Sequence, residues 1–185
     1  ISNRRYKPSA FPSTIFIRLM QQKIVRDALE TDLPTIVQIY NASIPNRLAT
    51  ADTEPVSLES RIPWFHSHNP SNRPIWVMEI DKKVVGWLSF NSFYGRPAYQ
   101  KTAELSIYVA PDRHRQGIAT KLLEKAIERS PGIGLTTLLG FIFAHNQASL
   151  ELFKKYQFQQ WGYLPKVAVL DDMEKDLIVL GRQIG

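Results

Sequence analysis

The stretch VAPDRHRQGIATKLL, residues 109–123, ends one element, turns through a run of cationic and imidazole side chains, and opens another. Val109 closes the run AELSIYV, whose alternation and β-branched content read as a strand, and Pro111 ends it. Ile118, Leu122, Ala126 and Arg129 recur at helical spacing, so residues 116–129 read as a helix. A strand that runs into a helix presents that helix's free N–H groups and positive dipole end beyond the strand, which suits a phosphate. Gly117 removes the side chain that would hold a pyrophosphate off the backbone, and Ala119 is the next smallest residue. Arg113, His114, Arg115 and Lys121 surround them with charge. An ordinary loop glycine before an amphipathic helix is the plainer alternative.

The flanking sequence alternates between the two periods. KIVRDA (23–28) is a short strand. Thr31 or Asp32 is placed to cap a helix over residues 33–44, with Pro34 in its first turn and Ile36, Ile39, Tyr40 and Ser43 on one face. NRLATADTEP (46–55) is a polar loop, and Ser57 caps a second helix that Pro63 shortens or kinks. PIWVMEI (74–80) and VVGWLSF (84–90), joined by DKK, form a hairpin. LTTLLGFIFA (135–144) is long and apolar enough for a buried strand, NQASLELFKKYQF (146–158) is helical, and WGYLPKVAVL (161–170) and DLIVLGRQI (176–184) are closing strands. The expectation is one α/β (α+β) domain with a central mixed, mostly antiparallel sheet flanked by helices.

Composition narrows the function. The chain has 185 residues and no cysteine, so disulfides, thiolate metal sites and a cysteine nucleophile are excluded. The four histidines include no HExxH pair, and His66 and His68 beside Asn69-Pro70 read as a polar loop rather than a metal site, so no metal is expected. No apolar run approaches the roughly 20 residues that span a bilayer; the protein is expected to be cytoplasmic, with no membrane partner. The net charge of +6 resides in residues 1–26, where Arg4, Arg5, Lys7, Arg18, Lys23 and Arg26 face no acid; the remainder carries 17 basic and 17 acidic residues. Residues 1–22 are read as an N-terminal extension and 23–185 as the domain. A nucleic-acid-binding arm is the alternative, but the segment matches no known nucleic-acid-binding motif, so no nucleic-acid partner is expected.

YVAPDRHRQGIATKLL resembles the coenzyme A pyrophosphate loop of the GNAT superfamily of N-acetyltransferases, Gln/Arg-x-x-Gly-x-Gly/Ala. Gly117 and Ala119 match it and His114 departs from it at the first position. NQASLELFKKYQF is similar to the family's Asn-x-x-Ser/Ala segment. From Ile24 to the C-terminus, the segments VRDALETDLPTIVQIYNASI, DTEPVSLESRIPWF, VVGWLSF, RPAYQKTAELSIYV and GYLPKVA resemble the phosphinothricin and methionine sulfone/sulfoximine N-acetyltransferase subfamily in order. The resemblance implies a GNAT-like domain with acetyl-CoA as cosubstrate. It places cofactor contacts at Ile107, Tyr108, Val109, Arg115, Gln116, Gly117, Ile118, Ala119, Thr120, Asn146 and Ser149. It also implies a small amine as the acceptor, a homodimer, and an acceptor-binding loop with Arg96, Tyr99, Lys101 and Thr102.

Acetyl transfer to an amine needs a neutral nucleophile, alignment with the thioester carbon and a donor for the developing oxyanion. An α-amine with a pKa near ~8 is mostly protonated at pH 7, so a base must act. Alternation places Glu104, Ser106 and Tyr108 on one strand face, and the resemblance puts the subfamily's catalytic glutamate at Glu104. A solvated Glu104 paired with Lys101 is the competing reading. The resemblance assigns the carbonyl contact to main-chain N–H groups among Ile107 to Val109. Phe153 stands where relatives carry His or Tyr, which leaves Tyr156 and Tyr108 as candidate thiolate proton donors. Ala51 stands where the subfamily has an aromatic residue. Trp64, Phe65, Trp76 and Trp87 read as core or partner-subunit contacts. Acetylation of another small amine or of a peptide N-terminus, and a non-catalytic coenzyme A-binding domain, are the alternative functions.

Overall fold

A computed structural model describes residues 23–184; the N-terminal extension expected over residues 1–22 lies outside the described residues. In chain order the elements are β1 (Lys23–Asp27), α1 (Leu33–Ser43), α2 (Leu58–His66), β2 (Ile75–Ile80), β3 (Lys83–Ser92) and β4 (Thr102–Val109). Then follow α3 (Ile118–Arg129), β5 (Thr137–Phe143), α4 (Gln147–Lys155), β6 (Gln159–Leu170) and β7 (Met173–Gln183). The strands form one sheet in the order β1-β2-β3-β4-β5-β7-β6. Every neighbouring pair is antiparallel except β4 and β5, which are parallel and joined through α3. The β2–β3 turn is tight because Asp81 and Lys82 both take positive φ, 49° and 65°, as a two-residue hairpin loop requires.

The sheet is covered on both faces, which explains why β2 and β3 are almost wholly buried. On one face Leu122, Leu123 and Ala126 of α3 and Leu150 and Phe153 of α4 pack against Leu88, Phe90, Leu105 and Leu138. On the other, Leu33, Ile36, Val37 and Ile39 of α1 meet Val77 and Trp87, with Trp64 and Phe65 of α2 at the edge. Trp76 and Trp87 are core residues, as their sequence context suggested.

The start of α1 differs from its expected cap. Asp32 precedes the helix with helical dihedrals and no side-chain cap bond. Its carboxylate instead accepts two hydrogen bonds from Arg26 (2.6 and 3.0 Å) and one from the Leu29 amide (2.8 Å). Arg26 also reaches Glu79 at 2.9 Å, tying β1, β2 and the entry to α1 together. Burial alone would raise the Asp32 pKa, but the bonds from Arg26 and Leu29 outweigh it and hold the carboxyl below its ordinary range. Ser57 caps α2 as read, accepting from the Ser60 amide at 3.1 Å.

Candidate functional site

β4 pairs with β3 along its length, from Ala103 opposite Ser92 to Val109 opposite Gly86. Its pairing with β5 stops at Glu104 opposite Leu139. β5 stays with β7 as far as Phe143, so from Leu105 onward the sheet opens between β4 and β5. Main-chain groups on that edge of β4, including those of Ile107 and Val109, have no strand partner there, and a buried main-chain group needs one. A cleft of about 320 Å3 fills the opening. Glu104, Ile107 and Tyr108 form one wall and Phe141 and Phe143 the other, with Asn146 and Ser149 at the start of α4. The loop from Leu48 to Ala51 crosses over it, held by Asn146 Nδ2 donating to Leu48 O (3.1 Å) and Tyr108 Oη donating to Ala49 O (3.1 Å).

The N-terminus of α3 lies just past the end of β4. Gly117 is its N-cap, with φ 76° and no side-chain cap, and Arg115 also takes a left-handed conformation at φ 60°. Such a conformation is uncommon outside glycine, and alternating handedness turns successive N–H groups into an anion-binding concavity. The amides of Ile118, Ala119 and Thr120 belong to the first turn and lack intrahelical partners. A Cβ at Gly117 would meet nothing within 4 Å, so the glycine answers to its dihedrals and to what approaches the loop, not to crowding within the protein. His114, the departure from the family pattern, turns its Nε2 to Val109 O at 3.1 Å and pins the loop to the strand end. Gln116 donates to Asp112 O at 3.3 Å, and Arg113 pairs with Asp112.

The β3–β4 register places three pairs on the face under α1 and α2: Trp87 with Tyr108, Ser89 with Ser106, and Asn91 with Glu104. Burial raises the pKa of Glu104. No hydrogen bond or ion pair to its carboxylate occurs among the described residues, so the pairing with Lys101 is not formed. Asn91 Nδ2 donates to Ser106 Oγ at 3.1 Å, while Asn91 Oδ1 faces the Trp64 indole N–H at 3.5 Å and the His68 Nε2 at 3.3 Å. Ser89 and Asn91 did not stand out in the sequence, although polar residues alternating with Trp87, Leu88 and Phe90 in one strand are a readable signal.

Other expected residues are distributed unevenly. Asn146 caps α4 through the Ser149 amide at 3.2 Å, so its amide group positions the cleft wall and the covering loop. Phe153 lines the cleft floor against Gly140, where a Cβ would come within 2.6 Å of the ring; an aromatic residue fits there only because residue 140 is glycine. Tyr156 Oη donates to Glu124 at 2.6 Å, which commits it to α3 rather than the cleft. Arg96, Tyr99, Lys101 and Thr102 do not line the cleft. They precede the point where β4 and β5 part: Lys101 O accepts from the Thr136 and Thr137 amides, Thr102 pairs with Thr137, and half-exposed Tyr99 packs on Phe93.

The Acetyltransferase (GNAT) family profile matches residues 34–158, more than half of the chain. The chain belongs to the GNAT acetyltransferase family. It is 45% identical over 162 residues to the Bacillus subtilis (strain 168) protein YwnH, named provisionally a phosphinothricin acetyltransferase, covering 87% of this chain and 99% of that one. It is 33% identical over 144 residues to the L-methionine sulfoximine/L-methionine sulfone acetyltransferase of Pseudomonas paraeruginosa (strain DSM 24068 / PA7), covering 77% and 84%. Among solved structures, a GNAT superfamily phosphinothricin acetyltransferase from Sinorhizobium meliloti in complex with AcCoA aligns with TM-score 0.83 and 26% identity, over 88% of this chain and 89% of that one. In this GNAT chain, the parted strands and the α3 N-terminus therefore form the candidate active site.

Two outcomes follow from the geometry. Because burial raises the Glu104 pKa, the folded state holds that proton to higher pH than the unfolded chain does. The associated stability is full below the unfolded value near 4.5 and is lost as pH rises through the folded value. Glu104→Gln, which mimics the protonated carboxyl, should therefore melt at or above the wild-type temperature at pH 7, with the gain fading toward pH 4.5 in a thermal-denaturation series. Gly117→Val should weaken coenzyme A binding about tenfold or more by calorimetric titration, since about 1.4 kcal/mol of lost contact is one decade.

Proposed function

We propose that this protein transfers the acetyl group of acetyl-CoA to the α-amine of a small amino-acid analogue such as phosphinothricin, methionine sulfoximine or methionine sulfone, by direct transfer in a ternary complex. The observation that carries the reading is the position of Glu104. Its desolvated carboxylate stands where β4 leaves β5, on the polar face of the sheet and at the cleft that leads to the α3 N-terminus. The names of the relatives supply the acceptor class.

In this reading the pyrophosphate of acetyl-CoA binds the amides of Ile118, Ala119 and Thr120 and the left-handed turn at Arg115 and Gly117. The pantetheine arm lies between the strands, its amides satisfying the unpaired edge of β4 as an added strand would. A main-chain N–H among Ile107 to Val109 holds the thioester oxygen. Glu104 removes a proton from the acceptor ammonium, directly or through one water, and its raised pKa makes it the stronger base. The amine nitrogen then bonds to the acetyl carbon, the C–S bond breaks, coenzyme A leaves as thiolate, and the second proton lost by the nitrogen passes to that thiolate or to water.

No cysteine exists to form a cysteinyl acyl-enzyme. Tyr156 is bound to Glu124, and Tyr108 has its pKa raised by burial while its hydroxyl donates to Ala49, so neither is a ready acid. A thiol with pKa near ~8.5 leaves without one. The reading includes a cytoplasmic homodimer; the exposed Trp161, Tyr163, Val167 and Val169 on edge strand β6 are the surface that such pairing would cover.

Coenzyme A release from acetyl-CoA, measured with phosphinothricin, methionine sulfoximine and methionine sulfone beside simple amines and a peptide N-terminus, tests the proposal. Turnover should favour the three analogues. Preference for the peptide or a simple amine would replace the acceptor class, and acetyl-CoA binding without turnover of any acceptor would support a non-catalytic binding domain.

A further inference from the structure

His68, in the turn that follows α2, is half-buried and presents both ring nitrogens to oxygens. Nδ1 lies 2.8 Å from Trp64 O and Nε2 lies 3.3 Å from Asn91 Oδ1, while the other end of that amide, Nδ2, donates to Ser106 Oγ at 3.1 Å. A carbonyl only accepts, so the close contact with Trp64 puts a proton on Nδ1, and in a neutral ring Nε2 then carries a lone pair. A lone pair against Oδ1 is repulsive, and two arrangements remove the conflict. An imidazolium donates from Nε2 to Oδ1 and leaves Nδ2 on Ser106. A neutral ring requires the Asn91 amide to be turned end for end, so that Nδ2 donates to Nε2 and Oδ1 receives the Ser106 proton. The Trp64 indole N–H, at 3.5 Å a marginal donor to Oδ1, does not hold the amide against this turn.

Burial opposes the charged ring most, and Arg73, in the chain just before β2, adds to it; the contacts with Trp64 and Asn91 favour it, and the balance holds the His68 pKa below its ordinary value. No carboxylate pairs with His68 among the described residues: Glu104 stands opposite Asn91 in the β3–β4 register, and it is His66 that faces Glu30, at 3.7 Å. The neutral ring, and with it the turned amide, is therefore the state near neutral pH.

We infer that His68 is a positioning residue: its neutral ring orients the Asn91 amide so that Ser106 gives its proton to Asn91 Oδ1 and turns oxygen lone pairs toward the cleft. Ser106 borders both the cleft and an adjoining cavity of about 180 Å3 under α1 and α2, and it lies two residues from Glu104 on one face of β4, about 7 Å along the strand. An ammonium between them has N–H donors for both the Glu104 carboxylate and the Ser106 oxygen. Protonation of His68 reverses the relay: Asn91 Oδ1 turns back to Nε2, Nδ2 donates to Ser106, and the hydroxyl proton then opposes the donors of the ammonium. The relay thus runs from the end of α2 through β3 to β4, and no atom of His68 touches the acceptor. Its role in acceptor binding rests on the acetyltransferase reading above; the relay itself does not.

Heteronuclear NMR of wild-type protein with isotope-labelled histidine and asparagine, the His68 ring identified by its contacts with Trp64 and Asn91, tests the relay. At about pH 8 the ring should be neutral with its proton on Nδ1, and on acidification the Asn91 side-chain amide signals should move with the same midpoint as His68. Between about pH 8 and about pH 5 the KM for methionine sulfone, or for the best acceptor of the panel above, should rise about fivefold more in wild type than in His68→Gln, whose side-chain oxygen accepts from Asn91 as neutral Nε2 does and does not titrate. A proton on Nε2, or Asn91 signals that stay fixed while His68 titrates, would overturn the relay. Equal pH dependence of KM in the two proteins would overturn the positioning role and leave the acetyltransferase proposal standing. Absence of transfer to every acceptor would overturn the acetyltransferase reading and the positioning role together, and is told apart from failure of the relay because the NMR titration needs no turnover.

Discussion

The structure depends on one strand having to satisfy two neighbours that diverge. β4 follows β3 through seven register pairs and β5 through three. After Glu104 its outer edge keeps main-chain donors and acceptors that no strand meets. A sheet closed along this line would have satisfied itself and excluded a ligand. Opened there, it places a half-buried carboxylate, an unpaired strand edge and a helix N-terminus along one continuous path.

The rest of the fold holds that opening in place. Arg26, Asp32 and Glu79 fasten the far edge of the sheet to α1. Asn146 and Tyr108 fix the loop that crosses the cleft, while Gly140 lets Phe153 fill the floor. The two faces of β3 and β4 do different work. Leu88, Phe90 and Leu105 pack against α3 and α4, whereas Ser89, Asn91, Glu104 and Ser106 form a polar strip beneath α1 and α2. Burying that strip opposes folding, and the raised pKa of Glu104 registers part of the penalty. Perturbed groups of this kind gather where chemistry is done.

The order of elements could be read from the sequence because β2, β3 and β5 are near-continuous apolar runs, β4 alternates, α3 repeats its apolar residues at helical spacing, and Gly117 marks the strand-to-helix turn. The same alternation put Glu104, Ser106 and Tyr108 on one face. What could not be read was tertiary. Arg96, Tyr99, Lys101 and Thr102 are close to Glu104 in the chain, yet β4 separates from β5 only beyond them, so they stay outside the cleft. Ser89 and Asn91 come from β3, and only the register reveals that they flank the same strip. Asp32 looked like a helix cap because capping residues and salt-bridge partners are the same residue types; its selection of Arg26 depends on β1 lying alongside.

The most direct test of the account is the turnover of Glu104→Gln at saturating acetyl-CoA, measured together with its acetyl-CoA affinity. If Glu104 is the base at the parted strands, turnover falls about 100-fold or more while cofactor affinity is unchanged. Wild-type turnover in the variant would contradict the account, and the proton would have to leave the acceptor by another route.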